Sequence, residues 1–116
     1  MKKTEATLYI QQLNRAQLAM LGICFAFELT IQARDTYDPG TKGVCDPERL
    51  REFNESLHRV VSAVHLCLAG DNLAVPSEMF LAQLPDDEDM TPIGHQILSA
   101  FTRSLRLLEQ YRERSD

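Results

Sequence analysis

The stretch from Leu13 to Ile31 constrains the fold most, because its apolar residues cover two neighbouring stripes of the helix that it predicts. One stripe lies within about 40° of a single line and consists of Leu13, Met20, Cys24, Phe27 and Ile31. The second stripe runs beside it and consists of Leu18, Leu21, Phe25 and Leu29. An apolar arc this wide needs two neighbours. We therefore predict an internal helix of a bundle, with the second stripe as the candidate interface to another copy of the chain.

Start and stop signals divide the rest of the chain. Pro47 suits a first helical position, Gly70 suits a helix end, and Thr91 is a cap for a last helix opened by Pro92. The predicted helices cover about residues 5–34, 47–69, 77–83 and 91–112. We expect a single domain over residues 1–116, an all-α antiparallel bundle of three long helices plus a short connecting helix. A dimer would complete a larger bundle.

Charge and cysteine content narrow the function class. The formal net charge is -5, which opposes a broad phosphate-binding surface, so nucleic acid is not an expected partner. The acidic run from Asp86 to Asp89 is predicted to be a mobile, solvated loop. Three cysteines cannot all pair within one chain, and we expect reduced thiols in a cytoplasmic protein. Glu28 and Gly22 interrupt the apolar stretch, so we expect neither a membrane span nor a signal peptide.

Glu28 is the carboxylate that most needs a partner. It projects about 40° from the centre of the first stripe, and an unpaired buried carboxylate is costly. Counting residues along two helices joined by a turn places it within a turn of His58. The sequence therefore predicts a Glu28–His58 pair, which is either structural or part of a working site.

A metal site is one alternative. Glu55 and His58 have the Glu-x-x-His spacing by which one helix presents a carboxylate and an imidazole to a metal. With Glu28, a homodimer would supply two copies of each ligand. Glu55 and His58 point well away from the core line, however, so we expect no cofactor and keep these three residues only as candidate ligands.

A ribonuclease site is the other alternative. Six residues separate Arg51 from His58, a spacing similar to that of all-helical HEPN-type ribonucleases, in which arginine and histidine meet at a dimer interface. The resemblance implies a catalytic role for Arg51 and His58, and Asn54 lies on the same helix flank. Chance matches to so loose a spacing are common, and the acidic charge opposes RNA binding.

These patterns favour a cytoplasmic interaction or regulatory protein that acts through homodimerisation and contacts with other proteins, with no chemistry of its own. The wide apolar arc of the first helix is the basis of this expectation. The alternative is a small helical enzyme that uses either the metal candidates or the ribonuclease candidates.

Overall fold

The computed structural model describes residues 2–37, 47–70, 72–88 and 91–115. This part of the chain is helical and contains no strand, which confirms the all-α fold class. The helices are α1 (Lys3–Gln11), α2 (Arg15–Tyr37), α3 (Pro47–Ala69), α4 (Ala74–Ala82) and α5 (Pro92–Ser115). Cys45 and Asp89 lie outside the described residues.

Two helices stand where the sequence pattern predicts one over residues 5–34. α1 ends at Gln11 and α2 begins at Arg15. Between them, the Asn14 backbone N–H donates to Gln17 Oε1 at 3.0 Å, and the Gln17 N–H donates to Asn14 Oδ1 at 2.9 Å. This reciprocal pair is a capping box, which gives the first N–H groups of α2 an acceptor and so favours a new helix start. The Asn-x-x-Gln spacing was the sequence signal for this break.

Local hydrogen bonds also mark the starts of α4 and α5. Thr91 Oγ1 accepts the N–H of Gly94 at 3.2 Å, so Thr91 caps α5. α4 begins at Ala74, three residues before the predicted start. Its N-cap residue is Leu73, and Asn72 Oδ1 accepts the Ala74 N–H at 3.0 Å in the turn that leads into the helix. Pro76 therefore lies in the first turn, where its missing N–H leaves no helical hydrogen bond unmade.

α2 is the helix on which the others are arranged. It packs along both α3 and α5, while α4 packs on α3 and α1 packs on α4. The Phe80 ring of α4 also lies against Gly22 of α2. Neighbours therefore enclose α2 on the sides that face α3, α4 and α5.

The second apolar stripe of α2 belongs to the core of the molecule. Its members are at most 1% exposed: Leu18, Leu21, Phe25 and Leu29. The Phe25 ring packs edge to face against Phe101 of α5, with ring centroids 5.3 Å apart. These side chains are already covered within the chain, which corrects the prediction that they face a second copy.

Small residues explain which stripe of α2 faces inward. Ala19, Gly22, Ala26 and Ala33 share one flank of α2 by helical spacing. A Cβ added at Gly22 would lie 2.6 Å from Phe80 Cζ and would overlap Val64 of α3 as well. The close approach of α3 and α4 along this flank is possible because these side chains are small, and it buries the adjoining stripe.

The acidic run has a structural role at its beginning. Asp87 accepts the Lys3 backbone N–H at 2.7 Å and the Thr4 hydroxyl at 3.2 Å, and Lys3 Nζ lies 3.6 Å from Asp86. These carboxylates are exposed, as predicted for a solvated run. Asp87 nevertheless caps α1, because the first N–H groups of a helix need acceptors and attract negative charge.

Candidate functional site

The side of α2 turned away from α3, α4 and α5 carries an apolar surface, as far as the structure describes the chain. Phe27 is 68% exposed and Ile23 is 43% exposed, and three further apolar side chains on the same side are partly exposed. We call this surface the α2 outer face: Met20, Ile23, Cys24, Phe27 and Ile31. It retains four of the five residues of the first stripe. None of its members is charged, and the exposed Arg34 follows Phe27 by two turns on the same line of the helix. The stripe assigned to the core by sequence therefore faces outward.

α3 also carries exposed apolar side chains. Leu57, Val61, Val64 and Leu68 follow one flank of α3 by helical spacing. Val64 is buried and lies against Gly22 of α2, which is about 140° round the helix from Phe27. Val61 is 40% exposed and Leu68 is 65% exposed.

A similar extension lies on α5. Arg103 reaches Glu28 of α2, and Leu107 and Tyr111 follow Arg103 by one and two helical turns. Leu107 is 43% exposed and Tyr111 is 56% exposed. Both helices that pack along α2 therefore carry exposed apolar residues of their own.

The partner of Glu28 is Arg103, and this corrects the predicted Glu28–His58 pair. Arg103 Nη1 lies 3.8 Å from Glu28 Oε2, and the side chains are 57% and 13% exposed respectively. Glu28 follows Phe25 by three residues and so faces α5, where Phe25 packs. Glu28 Oε2 is buried without a hydrogen bond among the described residues. The contact is thus an ion pair at the edge of the α2 outer face.

Two cysteine thiols are held in the neutral form. Burial raises the pKa of Cys24, and the carboxylate of Glu28 one turn away raises it further. Burial also raises the pKa of Cys67, against a lowering by Arg15. A raised pKa disfavours the thiolate, so the environment of neither cysteine favours a nucleophile.

The structure does not bring the candidate metal ligands together within one chain. Glu28 lies against α5, whereas Glu55 and His58 are exposed on α3. No group of three or more histidine, cysteine or acidic side chains among the described residues is arranged to hold a metal.

The ribonuclease candidates, by contrast, do share a site. Arg51, Asn54 and His58 are exposed on the first half of α3 and line one shallow, wide-open surface region whose described lining residues all belong to α3. We call it the α3 concavity: Pro47, Leu50, Arg51, Asn54, Glu55, His58 and Arg59. The metal candidates Glu55 and His58 therefore lie there too, beside two arginines.

α2 has one further property that the sequence analysis did not expect. By length and composition alone, the segment Arg15–Arg34 is apolar enough to cross a membrane, with a mean hydropathy of 1.4. The core helix of a bundle meets the same criterion, and one stripe of this helix is buried against its neighbours.

Comparison of the chain with protein-family models, curated proteins and solved structures finds no match.

Proposed function

We propose that this chain is a helical interaction module that forms a homodimer through the α2 outer face. The observation that carries the proposal is that α2 is enclosed by neighbours on its other sides and presents an uncharged apolar surface on this one. Large exposed apolar surfaces mark interaction sites in folded proteins. Phe27, at 68% exposure, is the natural anchor, since aromatic residues dominate the energetics of interfaces.

The amount of exposed apolar surface suits a second copy. Six large residues contribute to it: Ile23, Phe27, Val61, Leu68, Leu107 and Tyr111. Their exposed fractions correspond to roughly 600 Å² if a large side chain offers about 200 Å². A stable dimer buries about 800 Å² on each partner, and about 65% of that area is apolar. The exposed apolar area on α2 and on the two helices beside it is therefore of the size that a dimer interface needs, and the proposed interface places it on one side of the molecule.

Charge also favours a second copy over a strongly charged partner. The chain carries a net charge of -5, so most faces would repel an identical molecule. A two-fold axis near Phe27 would bring uncharged side chains together, with the exposed Arg34 two turns away, and the nearby Glu28 is already paired with Arg103. Self-association through this face thus avoids opposing like charges.

The proposal includes a cytoplasmic location, contacts of the dimer with other proteins, and action without a cofactor. The odd number of cysteines supports the cytoplasmic location, where thiols stay reduced. The first experiment measures solution mass by light scattering during size-exclusion chromatography over a dilution series, with metal content determined in the same fractions. A metal-free dimer that dissociates on dilution is expected. A monomer at every concentration would reject the proposed function.

A ribonuclease function is a second candidate, and one observation favours it. Arg51, Asn54 and His58 line the same concavity, as a catalytic constellation must. The test is cleavage of single-stranded RNA by the parent and by His58→Ala, purified in parallel. Loss of cleavage in the variant would support catalysis, and equal cleavage by the two would identify a contaminant.

A further inference from the structure

We propose that the cleft between the first halves of α3 and α5 binds a small aliphatic primary amine in its protonated form. The cleft has a volume of ≈ 270 Å³, and its lining residues are distinct from those of the α2 outer face. The inference therefore does not depend on dimerisation. Binding also requires no bond to be made or broken, so it stands apart from the ribonuclease candidate.

Three segments of the chain form the walls of this cleft. α3 and α5 contribute one wall each, and the end of α4 with the turn after it contributes the third. We call it the α3–α5 cleft, after its main lining residues: Glu52, Glu55, Ser56, Gln83, Leu84 and Ile97. A ligand here would meet protein on more than one side, whereas the α3 concavity offers the face of a single helix.

Ser56 is a buried polar side chain without a partner. It is 6% exposed, yet its hydroxyl forms no hydrogen bond with another residue. Ser62 and Ser104, by contrast, each donate to the carbonyl four residues earlier in their helices. The Ser56 oxygen is not sealed inside the protein, so it opens into the cleft that Ser56 lines. Because an unpaired hydroxyl at a buried position is costly, a ligand that pairs it would gain affinity.

Gln83 offers a second unpaired oxygen to the same cleft. The residue is 8% exposed, and its Nε2 donates to the backbone carbonyl of Met79 at 3.0 Å. This hydrogen bond sets the orientation of the side-chain amide and leaves Oε1 without a donor among the described residues. Oε1 is not sealed from solvent either. The amide group therefore presents an acceptor, and no donor, to a ligand.

The charges of the lining favour a cation. Glu52 and Glu55 are exposed carboxylates on successive turns of α3, and Arg59 is the one cation among the described lining residues. None of these three side chains forms an ion pair within the described part of the chain. A protonated primary amine carries three N–H donors and no acceptor. It therefore suits a site that offers two carboxylates, a hydroxyl and an amide oxygen.

Apolar residues on the other two walls explain why the amine would carry an aliphatic body. Leu84 after α4 and Ile97 of α5 are 4% and 8% exposed respectively, and Pro85 and Ile93 also line the cleft. Small-molecule sites combine such an apolar lining with a few polar groups, and they measure about 300–1,000 Å³. A cleft of ≈ 270 Å³ is slightly smaller, so it suits a ligand of a few carbon atoms.

The test is an NMR titration of the full ¹⁵N-labelled chain at neutral pH and low salt. The probes are 3-methylbutylamine, ammonium chloride and 3-methylbutanol. We expect the amine to bind with a Kd of about 1 mM, with the largest shifts at Ser56, Gly94 and the Gln83 side-chain amide. Ammonium lacks the aliphatic body and the alcohol lacks the charge, so each should bind at least about tenfold more weakly.

Charge variants should change the affinity for the amine in opposite directions. Glu52→Gln and Glu55→Gln should each weaken binding about threefold, the usual effect of losing one exposed ionic contact. Arg59→Gln should strengthen binding about threefold, because it removes the like charge beside the ammonium group. Glu78→Gln is the matched control, since Glu78 is an exposed glutamate of α4 outside the cleft. Its affinity for the amine should equal that of the parent.

Ser56→Ala separates a binding role from a structural one. The variant should weaken amine binding about fivefold, because it removes one hydrogen-bond acceptor. Its stability in urea without ligand should equal or exceed that of the parent, because the hydroxyl has no partner in the free chain. A structural hydroxyl would instead show a loss of stability in the free variant.

Three results would overturn the proposal. The first is the absence of saturable shifts with 3-methylbutylamine at tens of millimolar. The second is equal affinity in the parent, Glu55→Gln and Ser56→Ala, which would place the amine elsewhere. The third is equal affinity for 3-methylbutanol, which would show that the apolar walls bind a neutral ligand. Should Ser56→Ala fail to fold, the opposite effects of Glu55→Gln and Arg59→Gln, both at exposed positions, still decide the question.

Discussion

Replacing Phe27 with aspartate should abolish dimerisation while leaving the fold of each chain intact. Phe27 is 68% exposed, which corresponds to roughly 140 Å² of surface for a side chain of about 200 Å². Covering that area in an interface stabilises by about 3 kcal/mol per chain at about 25 cal/mol/Å². The substitution acts on both copies and adds a carboxylate that the interface would desolvate. We expect the dimer Kd to rise at least about a hundredfold.

The assay is sedimentation equilibrium over a range of concentrations, paired with urea unfolding of the monomeric variant. Val75→Asp is the matched control. Val75 is 47% exposed on the first turn of α4, away from the α2 outer face, and should leave the dimer Kd unchanged. An unchanged Kd in Phe27→Asp would refute the interface, and so would an equal loss in Val75→Asp. Unfolding of Phe27→Asp would refute the exposed placement of Phe27.

Three further substitutions test the packing of the chain. Gly22→Ala should destabilise by about 1–3 kcal/mol in urea unfolding, because its Cβ would overlap Val64 and Phe80; Val64→Ala added to it should recover part of that loss, and strictly additive effects would contradict the overlap. Asp87→Ala removes the acceptor of the Lys3 N–H and the Thr4 hydroxyl, so amide hydrogen exchange in α1 should accelerate by the equivalent of about 1 kcal/mol, and unchanged protection would exclude the cap. Burial, followed by the hydrogen bond to a glutamate, raises the pKa of Tyr9 above its usual 10.0; this contribution is fully present below pH 10 and is lost as pH rises through the folded-state pKa. Tyr9→Phe should therefore flatten the alkaline part of the stability profile, and parallel profiles would show that Tyr9 is not responsible.

Helix boundaries were predictable where a local signal fixes them. Thr91 and Pro92 predict the start of α5 from neighbouring residues alone. The structure contains the capping hydrogen bond that this signal implies, from the Gly94 N–H to Thr91 Oγ1. The break before α2 had an equally local signal in Asn14 and Gln17. The apolar pattern continues through this break. Helical periodicity indicates which residues face the core, but it does not indicate where one helix ends and the next begins.

The inward side of α2 was harder to predict, for a different reason. Both stripes are apolar, and a period near 3.6 residues cannot distinguish them. Side-chain size decides between them, because Gly22 and its small neighbours let α3 and α4 approach. The orientation of α2 about its own axis also decides which helix Glu28 faces, and here it faces Arg103 of α5. The grouping of Arg51, Asn54 and His58 in the α3 concavity was predictable, because these residues share a flank of one helix whatever its neighbours are.

The cap that Asp87 provides to α1 has a consequence for the order of folding. Asp87 is 84 residues away from Lys3, whose N–H it accepts. The Tyr9 hydroxyl of the same helix donates a hydrogen bond to Glu109, which is 100 residues away. During synthesis, α1 emerges long before the side chains that hold it. A nine-residue helix is marginal by itself in water. Contacts between distant parts of a chain also form slowly. We therefore expect α1 to become native late in folding, after the side chains that hold it are in place.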